Sequence, residues 1–102
     1  MNIIIIGAGY VGLVAACCLA NSEHQVTCVE TNEAKLKLLN QGLSPIRENG
    51  ISQLLKQGLS SSKLSFVPSL PKPLQADIVM VTVGTVFNNK VSLLLMRSTV
   101  IY

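Results

Sequence analysis

The chain opens with a short apolar run, Asn2 to Ile6, in which four isoleucines stand in a row and Gly7 follows at once. A continuous aliphatic run of this length, stopped by glycine, predicts a strand buried on both faces of a parallel sheet. From Tyr10 to Ala20 the residues are helix-compatible, apolar and mostly small. Residues 25–30 (QVTCVE) are rich in β-branched side chains and predict a second strand. Asn32 to Asn40 sets leucines among lysines, the pattern of an amphipathic helix with Asn32 as N-cap and Gly42 just beyond its end. Residues 42–50 are turn-rich, Ile51 to Leu59 predicts a short helix, and Ser60–Ser62 a polar loop. Leu64 to Val67 reads as a third strand, after which Pro68, Pro71 and Pro73 stop any long helix. Ala76 to Val83 is the clearest remaining strand, and Val91 to Met96 is a last apolar stretch. Strands alternating with helices, then two strands in succession, predict an α/β fold built on a doubly wound, mainly parallel sheet with an unusual tail.

At 102 residues, one domain over 1–102 is expected. A chain that is 49% hydrophobic and 13% charged is too apolar for a disordered tail. Its longest aliphatic run is far short of the roughly 20 residues a bilayer requires. No basic segment precedes that run, so a secretory signal is not expected and a cytoplasmic, non-membrane protein is. The eight basic residues are scattered without aromatic partners, which argues against a nucleic-acid surface, while the net +3 suits an anionic cofactor. Cys17, Cys18 and Cys28 form no C-x-x-C pair and read as reduced core thiols, and no metal site is expected.

Gly7-Ala8-Gly9-Tyr10-Val11-Gly12 matches G-x-G-x-x-G. Alone the string is weak, but here it follows a strand and opens a helix, the context a Rossmann-type dinucleotide site needs. Gly7 would make the tight turn, Gly9 would admit the pyrophosphate, and Gly12 would let helix and strand pack closely. Backbone N–H groups at the helix start would then meet the phosphates. Glu30 lies 18 residues past Gly12, close to the spacing of about 20 expected for the acidic residue that binds the ribose diol. A carboxylate there would repel a 2′-phosphate, so NAD is the expected cofactor rather than NADP. The competing reading is a strand–turn–helix whose glycines serve packing only, with Glu30 solvated.

IIIIGAGYVGLVAACCLA followed by VTCVE resembles the start of the UDP-glucose and GDP-mannose dehydrogenases. NQGLSPIRENG resembles that family's N-x-G-x-S-P-I-x-E-x-G turn, ADIVMVTVGT its fourth strand and following loop, and RSTV a later strand end. The resemblance implies an NAD-dependent oxidoreductase, UDP-glucose being oxidised to UDP-glucuronate, with this chain as its NAD-binding N-terminal part. It implies that Val11 meets NAD through its backbone, that Glu30 and Lys35 bind the adenosine ribose region, and that Thr85 and Thr99 line the nicotinamide side. The alternatives are a solvated helix lysine for Lys35 and capping or loop hydroxyls for the two threonines. Arg47 and Glu48 belong to the turn. The family's thiol nucleophile and most sugar-binding residues lie beyond the matched segment, so no catalytic residue is expected here and the chain alone is expected to be inactive. The nucleotide sugar would be a partner only in a full-length relative, and a homo-oligomer is compatible with the family. His24 matches a histidine common before the second strand and reads as core packing.

Several positions depart from the family pattern. Glu30 stands for an aspartate, Asn49 and Val86 for prolines, and Glu23 for the glycine expected where the first helix ends, which forces a non-glycine residue toward positive φ. Only residues 85–90 separate Gly84 from Val91, where the family places a crossover helix. Parallel neighbours need about a dozen residues or more, so the expectation is an antiparallel C-terminal hairpin through Asn88-Asn89, with Thr99 carried away from the phosphate loop and the tail the remnant of a shortened gene. A non-catalytic regulatory NAD-binding module of a potassium transport system is the competing function.

Overall fold

A computed structural model of the chain describes residues 1–46, 50–72, 75–84 and 89–95, with side chains described up to Thr82. Its order is β1 (Asn2–Ile6), α1 (Tyr10–Asn21), β2 (Gln25–Val29), α2 (Glu33–Asn40), α3 (Ile51–Ser60), β3 (Leu64–Val67), β4 (Ile78–Gly84) and β5 (Asn89–Leu95). Glu30 lies one residue past β2, and β4 starts two residues later than the apolar pattern suggests because Ala76 and Asp77 belong to its approach.

The sheet runs β3-β2-β1-β4-β5. β1 pairs in parallel with β2 and β4, β2 pairs in parallel with β3, and β5 lies antiparallel to β4 with Gly84 opposite Asn89. Asn89 and Lys90 therefore belong to the strand rather than to a turn, and residues 85–88 lie outside the described residues.

The apolar alternation within each strand sorts its side chains between two faces. Ile3, Ile5, Val26, Cys28, Leu64 and Phe66 face Leu13 and Ala16 of α1, Leu39 of α2, and Ile51 and Leu55 of α3. All three helices therefore cover one face, as right-handed crossovers stepping in one direction from β1 to β2 to β3 require. Gly58 lets α3 come close, since a Cβ there would lie 2.9 Å from the Leu64 Cβ. The other face holds a smaller cluster of Ile4, Val29, Ala76 and Val79. β3 and β4 are separated by residues 68–77, a length that can reach about 33 Å. That suffices for three strand spacings, about 14 Å, and one strand length, about 17 Å. Asp77 sets the register on arrival: its Oδ2 accepts from the Asn2 N–H at 2.8 Å while its own N–H donates to the Asn2 carbonyl, also at 2.8 Å.

Each helix ends in the same double bond pattern, with paired donations such as Glu23 N–H to Ala20 O and His24 N–H to Leu19 O. This closure needs a left-handed residue just past the cap. Gly42 supplies it after α2 at φ 79°, but Glu23 after α1 and Ser62 after α3 adopt it at φ 71° and 62° despite their Cβ atoms. An L-residue there costs about 1 kcal/mol or more. Among the described residues only an exposed ion pair to Lys63, at 3.8 Å, would be lost with the Glu23 carboxylate. Glu23→Gly is thus expected to raise unfolding stability by about 1 kcal/mol in urea titration, and unchanged or lower stability would refute the strain.

His24 is a correction to the sequence reading. It is half-buried rather than a core residue, and its Nδ1 accepts from the Met1 amino group at 3.2 Å. Cys18 is the second, because it faces solvent, whereas Cys17 and Cys28 are buried. Burial, with the neighbouring Cys18 adding to it, pushes the Cys17 thiol up to about 11. Burial, then the Glu30 carboxylate, pushes Cys28 up to about 12, so both remain uncharged thiols at neutral pH.

Candidate functional site

The switch point of this topology lies at the C-terminal ends of β1 and β4, between which the connections leave in opposite directions. Open α/β sheets bind ligands in that crevice. The chain leaves β1 there through Gly7, whose N–H donates to the Val29 carbonyl at 2.9 Å and whose φ of 103° is open to glycine and few other residues. Gly9 then caps α1 in extended backbone, with the Leu13 N–H closing the first helical turn onto its carbonyl at 2.9 Å.

The three glycines serve different neighbours. A Cβ on Gly7 would run into the Thr82 carbonyl oxygen, and one on Gly12 into the Gly7 carbonyl and the Thr82 hydroxyl. A Cβ on Gly9 would meet no atom of the described residues within 4 Å. Among the described residues nothing in the packing therefore calls for glycine at position 9, and its backbone conformation is open to other residues. The clearance is a space beside a helix start with no acidic residue in its first turn, which suits a phosphate. Tyr10 and Val11 border it, at 53% and 37% exposure.

Glu30 stands on the other side of the loop and is only 9% exposed. Its Oε1 accepts from the Ala8 N–H at 3.2 Å and lies 3.7 Å from the Lys35 ammonium, while its Oε2 accepts from the Asn32 N–H at 2.9 Å. Asn32 in turn caps α2, its side-chain oxygen accepting from the Lys35 N–H at 3.0 Å, as its place before the leucine–lysine pattern predicts. The cap orients α2 so that Lys35 reaches back to Glu30. Glu30 is thus not a solvated surface carboxylate but a link between the glycine loop and the β2–α2 junction. Two charged side chains of opposite sign thus meet beside the glycine loop.

Thr82 was not singled out by the sequence reading. It sits in an otherwise apolar strand, is 6% exposed, and its hydroxyl donates to the Gly7 carbonyl at 2.7 Å, with the Ile6 carbonyl at 3.3 Å. A lone hydroxyl in ADIVMVTVG was the available signal, since a buried one needs a partner. Ser44, in the turn before α3, closes that turn locally: its hydroxyl bonds the Ile46 carbonyl at 2.8 Å and the Ile46 N–H at 3.2 Å. Thr85, Thr99, Arg47, Glu48, Asn49 and Val86 lie outside the described residues. A cleft of about 170 Å³ between α1 and α3, bordered by Glu23 and Lys63, opens at the opposite end of the strands and takes no part in this site. Among the described residues no group of three or more His, Cys, Asp or Glu side chains could hold a metal ion, and no helix is long and apolar enough to cross a membrane.

Strand, glycine turn, helix start and buried carboxylate at the switch point together define a Rossmann-type NAD-binding domain. The chain belongs to the UDP-glucose/GDP-mannose dehydrogenase family: the profile of that family's NAD binding domain matches residues 1–100. Over 86 residues it is 42% identical to a UDP-glucose 6-dehydrogenase of Bacillus subtilis, an alignment covering 83% of this chain and 20% of that protein. A GDP-mannose 6-dehydrogenase of Pseudomonas syringae is likewise 42% identical over 86 residues, again 83% of this chain and 20% of the relative. The fold superposes on the crystal structure of a GDP-mannose dehydrogenase ternary complex from Pseudomonas aeruginosa with a TM-score of 0.76 and 36% identity, over 90% of this chain and 22% of that one. The chain thus spans about a fifth of the length of the curated relatives it matches. The competing regulatory-module reading draws no support from these comparisons.

Proposed function

We propose that residues 1–102 act as one NAD-binding unit in which the loop Gly7, Ala8, Gly9, Tyr10, Val11 and Gly12 forms the phosphate site and Glu30 and Lys35 meet the adenosine ribose. Within that loop Gly9 leaves room for the pyrophosphate, while Gly7 makes the turn and Gly12 lets α1 pack closely. The observation that carries this is the empty space at the Gly9 Cβ, at the start of α1 and beside the buried Glu30 carboxylate. Thr85, which follows β4, stays on the nicotinamide side as the family resemblance implies, but Thr99 does not, because β5 runs antiparallel to β4 and brings Leu95 opposite Ile78, at the end of the sheet away from Gly7. Bound NAD would supply a hydride acceptor, and the residues of this chain would bind and orient it. Oxidation of a nucleotide sugar such as UDP-glucose is the reaction we assign to the larger protein of this family type. No catalytic residue is assigned within the chain, and Cys17 and Cys28 are buried, uncharged thiols unsuited to nucleophilic attack. A cytoplasmic place and self-association go with this reading.

Calorimetric titration of the chain with NAD and NADP tests it. NAD is expected to bind more tightly, because a 2′-phosphate would be brought against the Glu30 carboxylate. Equal or reversed affinities would remove Glu30 from the ribose, and no binding of either would refute the nucleotide assignment.

A further inference from the structure

One peptide group in the glycine loop is held at both ends by side chains from different strands. The carbonyl of Gly7 and the N–H of Ala8 belong to the same planar unit. Thr82 of β4 donates to that carbonyl at 2.7 Å, and Glu30 at the end of β2 accepts from that N–H at 3.2 Å. The two contacts approach from opposite sides of β1, which lies between β2 and β4 in the sheet. Thr82 is buried, so its hydroxyl has no solvent to turn to, and it is packed tightly enough that a Cβ on Gly12 would strike it.

A glycine at positive φ has neighbouring peptide planes that rotate with little steric resistance. Fixing the plane after Gly7 removes that freedom where the loop turns toward Gly9 and the start of α1. We infer that Thr82, with Glu30 opposite it, is a positioning residue for the nucleotide: it locks the Gly7–Ala8 peptide so that the loop already holds its anion-receiving form before the cofactor arrives. This rests on the NAD-binding reading above. A role in packing alone would need the volume of the side chain but not its hydroxyl.

The test compares the 15N-labelled full chain with Thr82→Val, Thr82→Ala and Thr82→Ser, by amide hydrogen exchange and by NAD titration. Valine keeps the branched volume and loses the donor. Alanine loses the donor without pressing a methyl group on the Gly7 carbonyl, and it serves should valine fail to fold. Serine keeps the donor. Loss of one buried hydrogen bond is expected to raise the NAD Kd about tenfold and to speed exchange at the Ala8 amide by a similar factor. The Val26 amide, bonded to the Lys63 carbonyl in the core, should change only as much as global stability does. Serine is expected to restore both readouts to within about twofold of the original. Unchanged Ala8 exchange and NAD affinity in the valine or alanine variant would overturn the positioning role, as would a serine variant no better than valine. Failure of the unmodified chain to bind NAD would instead overturn the nucleotide reading, and the positioning role with it.

Discussion

Gly12→Ala is expected to destabilise the chain by about 2 kcal/mol, while Gly9→Ala is expected to leave the fold nearly intact and to remove NAD binding. The two glycines stand three residues apart in one motif, yet their surroundings differ. A Cβ on Gly12 would collide with the Gly7 carbonyl and the Thr82 hydroxyl, and neither can withdraw without opening the contact between α1 and β4. Alanine gains about 1 kcal/mol over glycine in helix propensity, which offsets only part of an overpacking cost of about 3 kcal/mol. At Gly9 the added methyl meets no atom of the described residues within 4 Å, and φ of −74° is accessible to any L-residue. The cost there is limited to a poorer helix cap, about 1 kcal/mol or less. Its methyl would nevertheless occupy the space proposed for the pyrophosphate. Thermal melts and NAD titrations of both variants separate the two effects. A Gly9→Ala variant that binds NAD as well as the original would show that the empty space is not the phosphate site.

Glu30→Gln is expected to behave as a disruptive substitution despite its matching shape, lowering stability by about 1.5–3 kcal/mol. Both carboxylate oxygens accept from backbone N–H groups, Oε1 from Ala8 and Oε2 from Asn32. A carboxamide offers one acceptor, so its NH2 must face either the Ala8 or the Asn32 N–H, and one buried donor is left without an acceptor. The Lys35 ammonium, 3.7 Å from Oε1, also loses its counter-charge. The same substitution removes the negative charge that disfavours a 2′-phosphate, so the preference for NAD over NADP should shrink together with stability. Urea titration combined with calorimetry on both nucleotides checks this. A Glu30→Gln chain of unchanged stability would mean that the carboxylate does not join the loop to the β2–α2 junction.

Much of the fold was legible along the chain because it depends on near neighbours. The Ile3–Ile6 run marks a buried strand, Asn32 before a leucine–lysine pattern marks a capped helix, and Gly42 marks that helix's end, each through backbone preferences spanning a few residues. Glu23 shows that such preferences can be overridden and still be foreseen. The missing glycine at the end of α1 indicated a left-handed glutamate, and φ of 71° is what the chain adopts there. The acidic partner of the glycine loop was equally visible, since the length of one strand–helix–strand unit fixes its spacing.

What the sequence alone determined is therefore the Rossmann-type site in outline: a strand, a G-x-G-x-x-G turn, a helix start and a carboxylate in register. Which neighbours those residues serve was decided only by the tertiary structure. Thr82 reaches the Gly7 carbonyl across 75 positions of chain because β4 returns to lie against β1, with Ile6 opposite Val81. Cys18 turns outward while Cys17 turns in, because α1 rests on the sheet with one side only. His24 meets the first residue of the chain rather than the core because the turn after α1 brings it beside Met1. Local propensity specifies the backbone conformation of each segment, whereas these contacts depend on strand register, and register is set when the assembled ladder buries one particular set of faces.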